Sequence, residues 1–239
     1  LKLNTFNLPD SSIVDGSEHF DIDLYTGNGT TRNRIYNDFK PSFVWVKRRD
    51  AANNHYITNI VTDGYMSSNT TNAETANSAF SWYDDGWDLG PNGSGNTYVG
   101  WSWRGSDSSP VSNTDGTITS QVSANTTAGF SVVTYSGSGA SATVGHGLGS
   151  APKMILLKSR NAVSSWIVYA NSIGAGSYLL LNSTAAAAVN SLFWNNTTPT
   201  SSVFSIGVNN SGNTQNYVAY CFAEVEGYSK FGSYTGNGS

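Results

Sequence analysis

Three carboxylates occur close together in residues 82–88, where a metal ion could be held. Asp84, Asp85 and Asp88 supply hard oxygen ligands at the spacing of a loop, which suits calcium. The alternative is a solvated turn whose acids only face water. This stretch is therefore the candidate calcium site, and no other cofactor is expected.

Aromatic residues accompany these acids. Flat rings beside Asn and Asp side chains are typical of sugar-binding surfaces, although the same rings could simply close one end of a β-sandwich. The aromatic residues least obviously assigned to a hydrophobic core are Trp82, Tyr83, Trp87 and, in the second half of the chain, Trp194. They are the candidate residues for glycan contact.

Catalytic patterns are weak. His146 lies in Gly145-His146-Gly147-Leu148-Gly149, which favours a glycine-rich turn with a hydrogen-bonded histidine over a catalytic base. No Gly-x-Ser-x-Gly nucleophile elbow occurs. Glu224 and Glu226 alternate as the acids of many sandwich glycosidases do, but their counterparts in the first half are not a pair of acids. The chain is expected not to be an enzyme.

Composition indicates an all-β protein. Of 239 residues only 12% are charged, 13% are aromatic and 25 are glycine, which suits strands joined by tight turns. A net charge of −4 gives no basic field for a phosphate backbone, so nucleic acid is not an expected partner. No apolar run is long enough to predict membrane insertion.

Local patterns add two smaller expectations. The single cysteine, Cys221, excludes an internal disulfide and is expected to be a small apolar residue within a strand. The alanine-rich residues 185–189 are the one helix-prone stretch, and they predict a helical turn at most.

The two halves of the chain repeat the same landmarks in the same order. Residues 20–29 match residues 130–139, with Tyr-Thr-Gly-Asn-Gly opposite Tyr-Ser-Gly-Ser-Gly, and a proline-led apolar run closed by lysine follows in each half. The repeat predicts two tandem antiparallel β-sandwich modules, residues 1–105 and 106–239, separated by a linker-like stretch at 105–116. A third Tyr-Thr-Gly-Asn-Gly at 234–238 predicts either the opening strand of a further module or a closing strand of the second.

The residues that carry a family resemblance lie mainly in the second half. The stretches 113–120, 128–135, 145–155, 217–225 and 227–234 resemble a recurring module in structural proteins of tailed bacteriophages, especially marine ones. That resemblance implies a concanavalin- or laminin-G-like jelly roll in large virion proteins of the tail-fibre or surface type. It carries no catalytic residues.

These observations lead to an expected function. The chain is expected to be a non-enzymatic module on the outer surface of a virion that contacts the host envelope, through glycan or protein. Its other expected partners are virion proteins and further copies of itself, a trimer being one form. A purely structural role, in head decoration or as a fibre spacer, is the first alternative, and a glycan depolymerase using Glu224 and Glu226 is the second.

Overall fold

A computed structural model describes residues 11–30, 33–62, 64–76, 80–88 and 92–237. Among these residues, nine strands belong to the first half: β1 (Phe20–Thr26), β2 (Arg34–Tyr36), β3 (Pro41–Arg48), β4 (Tyr56–Asn59), β5 (Gly64–Met66), β6 (Thr75–Ala76), β7 (Ser81–Tyr83), β8 (Gly86–Asp88) and β9 (Thr97–Arg104).

The second half contains ten strands and one short helix: β10 (Val111–Asn113), β11 (Ser120–Asn125), β12 (Phe130–Ser136), β13 (Ala142–Gly145), β14 (Met154–Ser159), β15 (Ile167–Ala170), β16 (Ser177–Leu180), β17 (Ala188–Val189), α1 (Ser191–Trp194), β18 (Val203–Ile206) and β19 (Asn216–Phe222). Single 3-10 turns occur at Gly16–Glu18 and Val208–Asn210. The strands pair antiparallel throughout their named ladders, so the predicted all-β sandwich class is confirmed.

The strands form four sheets. The first large sheet has the order β1-β9-β3-β4-β5-β6 and the first small sheet the order β2-β8-β7. The second large sheet has the order β10-β11-β12-β19-β14-β15-β16-β17 and the second small sheet pairs β13 with β18. The order β1-β9-β3-β4-β5-β6 is therefore repeated as β12-β19-β14-β15-β16-β17, which explains why the same residue patterns recur in both halves.

Three hydrophobic clusters separate the four sheets. The first outer core lies between the first small and first large sheets and contains Ile35, Val44 and Trp87. The second outer core lies between the second large and second small sheets, with α1 beside it. Between the two large sheets lies the central core, where Phe43 from the first half packs with Tyr220 from the second.

Packing in the central core accounts for the unbroken apolar runs of the inner strands. In β19, Tyr217, Ala219 and Cys221 face the second outer core, whereas Val218 and Tyr220 face the central core. A strand with both faces buried cannot alternate between apolar and polar residues. The unbroken apolar runs predict strands from the sequence alone. The structure shows in addition that these strands belong to sheets covered on both sides.

Polar contacts also join the halves. The Asn59 amide donates to the Tyr220 hydroxyl over 3.0 Å, and the Trp166 indole donates to the Ser67 carbonyl over 3.0 Å. Arg160 forms an ion pair with Glu74 at 2.7 Å. The predicted boundary near residue 105 follows β9. The central core contains residues from both sides of this position, and its role as a domain boundary stays a prediction.

Several local expectations differ from the structure. The linker-like stretch contains β10, which pairs with β11 at the edge of the second large sheet. Residues 185–189, for which a helical turn at most is predicted, form no helical turn and end in β17. The short helix α1 instead follows Asn190, whose side chain accepts from the Leu192 amide. Within residues 231–237 of the third Tyr-Thr-Gly-Asn-Gly region there is no strand, and Gly238 lies outside the described residues.

Candidate functional site

The outward face of the first small sheet presents an arginine between two tyrosines. In the register of that sheet Ile35, Trp87 and Trp82 stand side by side and point toward the first outer core. Because side chains alternate along a strand, Arg34, Tyr36 and Tyr83 take the opposite face.

The geometry of this tyrosine–arginine face, defined as Arg34, Tyr36 and Tyr83, is compact. The guanidinium carbon of Arg34 lies 4.8 Å from the ring centroid of Tyr36 and 3.7 Å from that of Tyr83, within the range of cation–π attraction. Tyr36 is 68% exposed. The face thus offers an accessible aromatic ring beside a cation whose position is held by a second ring.

The predicted calcium ligands border this face but do not converge. Asp85 forms an ion pair with Arg34, Asp84 lies 3.3 Å from the Lys40 ammonium, and Asp88 accepts from the Tyr83 hydroxyl over 2.7 Å. Among the described residues no group of three or more His, Cys, Asp or Glu side chains could hold a metal ion. The carboxylates at 84, 85 and 88 therefore act here as partners of cations and a hydroxyl, and the calcium interpretation finds no support in their arrangement.

Of the four predicted glycan-binding aromatics, two belong to hydrophobic cores. Trp87 is 0% exposed in the first outer core, and its indole donates to the Ser102 hydroxyl over 3.0 Å. Trp194 is 1% exposed in the second outer core, where it packs edge-on against Tyr169. Neither ring offers a face to a sugar, which corrects their assignment as contact residues.

The other two aromatics differ from each other. Trp82 is half-buried and packs against the first outer core, whereas Tyr83 lies on the tyrosine–arginine face. Arg34 and Tyr36 were missed by the sequence reasoning. Their signal was the alternation Arg34-Ile35-Tyr36, a short strand with one apolar residue between two outward-facing ones.

His146 is buried and has the hydrogen-bonded turn role that its glycines predict. Its Nδ1 accepts from the Leu148 amide over 3.2 Å, and its Nε2 lies 3.2 Å from the Thr200 carbonyl oxygen, so Nε2 carries the proton. Desolvation lowers the pKa of His146, with the Thr200 carbonyl opposing that shift. The ring is a neutral structural bridge between the turn and the segment before β18.

Glu226 lies in a turn closed by the bridge between Val225 and Ser229, and Glu224 directly precedes that bridge. The Glu224 carboxylate accepts from the Phe231 amide over 3.1 Å and lies 3.3 Å from the Lys230 ammonium. These contacts, the Phe231 amide first, lower the pKa of Glu224. The acid role in glycoside hydrolysis requires a carboxyl group that can donate a proton. A carboxylate that is kept ionised in this way is a poor proton donor.

Cys221 is fully buried within β19 and belongs to the second outer core. Burial raises the pKa of its thiol well above the ordinary value. A protonated, inaccessible thiol is unreactive, so the prediction of a small apolar strand residue is confirmed.

The fold and this face define an all-β sandwich protein that presents an exposed tyrosine beside an arginine on the outward side of its first small sheet. A model of the family described as a domain of unknown function, DUF7483, matches residues 15–239, and the chain therefore belongs to that family. The match runs through both halves, as the central core does. No curated protein and no solved structure matches the chain. In the described part of the chain no helix has the length and apolar character needed to cross a membrane.

Proposed function

We propose that this chain is a non-enzymatic surface module of a tailed-phage virion, of tail-fibre or spike type, and that it contacts host-envelope glycans through the tyrosine–arginine face. The resemblance of residues 113–120, 128–135 and 145–155 to phage structural modules supports the virion setting. The exposed Tyr36 ring beside the held guanidinium of Arg34 is the observation that carries the glycan contact.

The chemistry of the face suits a sugar. A pyranose presents a face of C–H groups that packs on an aromatic ring, and its hydroxyl groups need polar partners at the rim. Tyr36 supplies the ring and the Arg34 guanidinium a donor beside it. Asp84, next to Tyr83 in the chain, forms an ion pair with Lys40 and adds a further charged pair near the face. Such contacts are individually weak, which suits attachment by many copies on one particle.

The test is the substitution Tyr36→Ser, compared with Tyr234→Ser. Both tyrosines are mostly exposed, at 68% and 95%, but only Tyr36 belongs to the face. On an array of host-envelope glycans, Tyr36→Ser is expected to lose about tenfold or more in binding, as the truncation of a central aromatic does, and Tyr234→Ser is expected to bind like the wild type. Equal binding by both variants, with unchanged circular dichroism, would refute the glycan contact.

A structural role in head decoration or as a fibre spacer is the second candidate. The central core favours it, because two halves joined by a continuous hydrophobic core make a stiff unit. A protein that binds no host-envelope fraction but co-purifies with other virion proteins would support this role.

The depolymerase alternative predicts release of reducing sugar from host polysaccharide, and loss of that release in Glu226→Gln.

A further inference from the structure

A cavity of about 380 Å³ lies at the junction of the two halves, beside the central core. Its walls come from both large sheets and from the segments next to them. Of the fifteen described residues that line it, eight are Phe, Trp or Tyr. This volume lies at the lower end of the roughly 300–1,000 Å³ that is typical of small-molecule pockets, which favour the boundary between two packed units.

The walls of the cavity are rings packed against rings. The centroids of Phe20 and Trp103 are 4.8 Å apart, and those of Phe130 and Phe222 are 5.1 Å apart. Phe130 is buried, but Phe20, Trp103 and Phe222 are only half-buried, so the cavity opens to solvent. Water in contact with this apolar surface is displaced favourably by an apolar molecule.

Among the described residues that line the cavity, His19 offers a hydrogen-bond donor whose position on the ring is determined by its neighbours. The Asn125 carbonyl oxygen Oδ1 accepts from the Ala128 amide over 3.0 Å, so the Asn125 Nδ2 is the atom that donates to His19 Nδ1 at 3.0 Å. His19 therefore carries its proton on Nε2. Within the described part of the chain Nε2 has no hydrogen-bond partner.

We propose that this cavity binds a small neutral apolar molecule that carries one hydrogen-bond acceptor, with its body among the rings and its acceptor on His19 Nε2. The neutral character follows from the walls, since a charged ligand would lose hydration without gaining a counter-ion. Burial also lowers the pKa of His19, ahead of repulsion from Arg104, which keeps the ring neutral near pH 7.

The probe for this site is 4-phenylbutan-2-one, which joins one ring to one ketone oxygen. Isothermal titration calorimetry of the whole chain is expected to show saturable binding of one molecule per chain. Its partner probe is n-butylbenzene, which lacks the ketone. His19→Phe is expected to weaken binding of the ketone about two- to tenfold, the effect of one hydrogen bond, and to leave n-butylbenzene binding unchanged.

A variant that fills the cavity provides a second measurement. Ala128 lines the cavity, so Ala128→Phe places a ring in the space of the ligand, and we expect binding of both probes to disappear. Val163→Phe adds the same ring on an exposed loop position away from the cavity and is expected to bind as the wild type does. Circular dichroism of each variant separates a filled cavity from a misfolded chain.

Three results would overturn the proposal. The first is a wild-type titration with no saturation up to the solubility of the ketone. The second is full binding by a correctly folded Ala128→Phe variant. The third is self-association of the wild type that Ala128→Phe abolishes, since that would make a second copy of the chain the occupant. Failure of this test leaves the glycan proposal unaffected, because the tyrosine–arginine face shares no residue with the cavity.

Discussion

Lys158 is a charged side chain without solvent exposure. Its ammonium donates to the carbonyls of Ser159 and Ala162 and to the Ser164 hydroxyl, over 2.9, 3.2 and 3.2 Å. The repeat places Lys47 at the equivalent end of β3, where it donates to the carbonyls of Arg48 and Ala51. In both halves the lysine thus stabilises, through hydrogen bonds to carbonyl oxygens, the turn that follows an inner strand.

These two lysines predict a graded loss of stability. Lys158→Met leaves buried acceptors unpaired and is expected to lower the free energy of unfolding by about 1–3 kcal/mol. Lys47→Met, at a partly exposed position, is the matched variant and is expected to cost less, because water can replace the amine. Urea denaturation of both variants measures the difference, and an equal or reversed order would contradict this account of the turn.

The same lysine predicts a pH dependence. Burial lowers the pKa of Lys158 to about 8 from 10.5. Between these values the unfolded chain holds a proton that the folded chain has released, so the contribution of Lys158 to stability rises with pH over that window. The free-energy difference between the wild type and Lys158→Met is therefore expected to widen from pH 8 to pH 10.5. A constant difference across the series would contradict this sign.

At the scale of elements, the glycine motif that follows β1, and again its counterpart β12, forms a hydrogen-bonded turn. The Gly27 amide donates to the Asn96 carbonyl over 2.8 Å, and the Gly137 amide donates to the Gln215 carbonyl over 2.8 Å. The tyrosines that open the motif stack on the tyrosine of the last strand, with centroids 5.2 Å apart for Tyr25 and 5.0 Å apart for Tyr135. In each half this turn connects the end of that strand with the segment just before the last strand, β9 or β19.

This turn predicts which glycines are essential. A Cβ at Gly27 or Gly137 would press into the carbonyl oxygen of Gly93 or Gly212, whereas a Cβ at Gly236, in the third copy of the motif, meets nothing within 4 Å. Gly27→Ala and Gly137→Ala are each expected to cost about 1–3 kcal/mol, and Gly236→Ala close to none. Thermal denaturation of the three variants decides the matter; a similar loss in Gly236→Ala would show that the third motif forms the same turn.

At the scale of the whole molecule, the central core couples the two halves. Phe43 is 0% exposed and its ring centroid lies 4.3 Å from that of Tyr220 and 5.8 Å from that of Phe130. Truncating a buried phenylalanine removes contacts on both sides of this boundary. The halves are therefore expected to unfold together.

Phe43→Ala tests that coupling. The variant is expected to lower the free energy of unfolding by about 3–5 kcal/mol and to reduce hydrogen-exchange protection in β12 and β19 as well as in β3. Exchange followed by mass spectrometry along a urea series measures both. Two separate transitions, with β12 and β19 still fully protected, would show that each half unfolds independently.

Much of the fold follows from local patterns in the chain. The repeated Tyr-Gly-Gly turns, the proline-led apolar runs and the low charge are enough to predict antiparallel strands in a sandwich, because strand and turn preferences act over a few residues. His146 and Cys221 were also placed correctly, since a glycine-rich turn and an apolar strand each leave a side chain few roles. The alanine-rich residues 185–189, predicted to form a helical turn at most, form none, and their last two residues pair with β16.

The candidate site was predictable only in part. Asp84, Asp85 and Tyr83 do lie on or beside the tyrosine–arginine face, but sequence alone could not separate Tyr83 from Trp87 and Trp194. Tyr83, Trp87 and Trp194 are all aromatic residues near acids or amides. What distinguishes them is the direction in which each side chain points from its backbone. One residue of shift along a strand reverses that direction, and the pairing register that sets it is a long-range property.

The amino-acid order by itself was enough to predict the all-β sandwich class and to show the same landmarks repeated in two halves, because strand and turn preferences depend on neighbouring residues. Only the tertiary structure decided that the two large sheets bury their faces against each other, that Trp87 and Trp194 are core residues, and that Arg34, Tyr36 and Tyr83 meet on one surface. Those outcomes depend on contacts between residues far apart in the chain, and the free energy of burying apolar surface selects among them without regard to sequence distance.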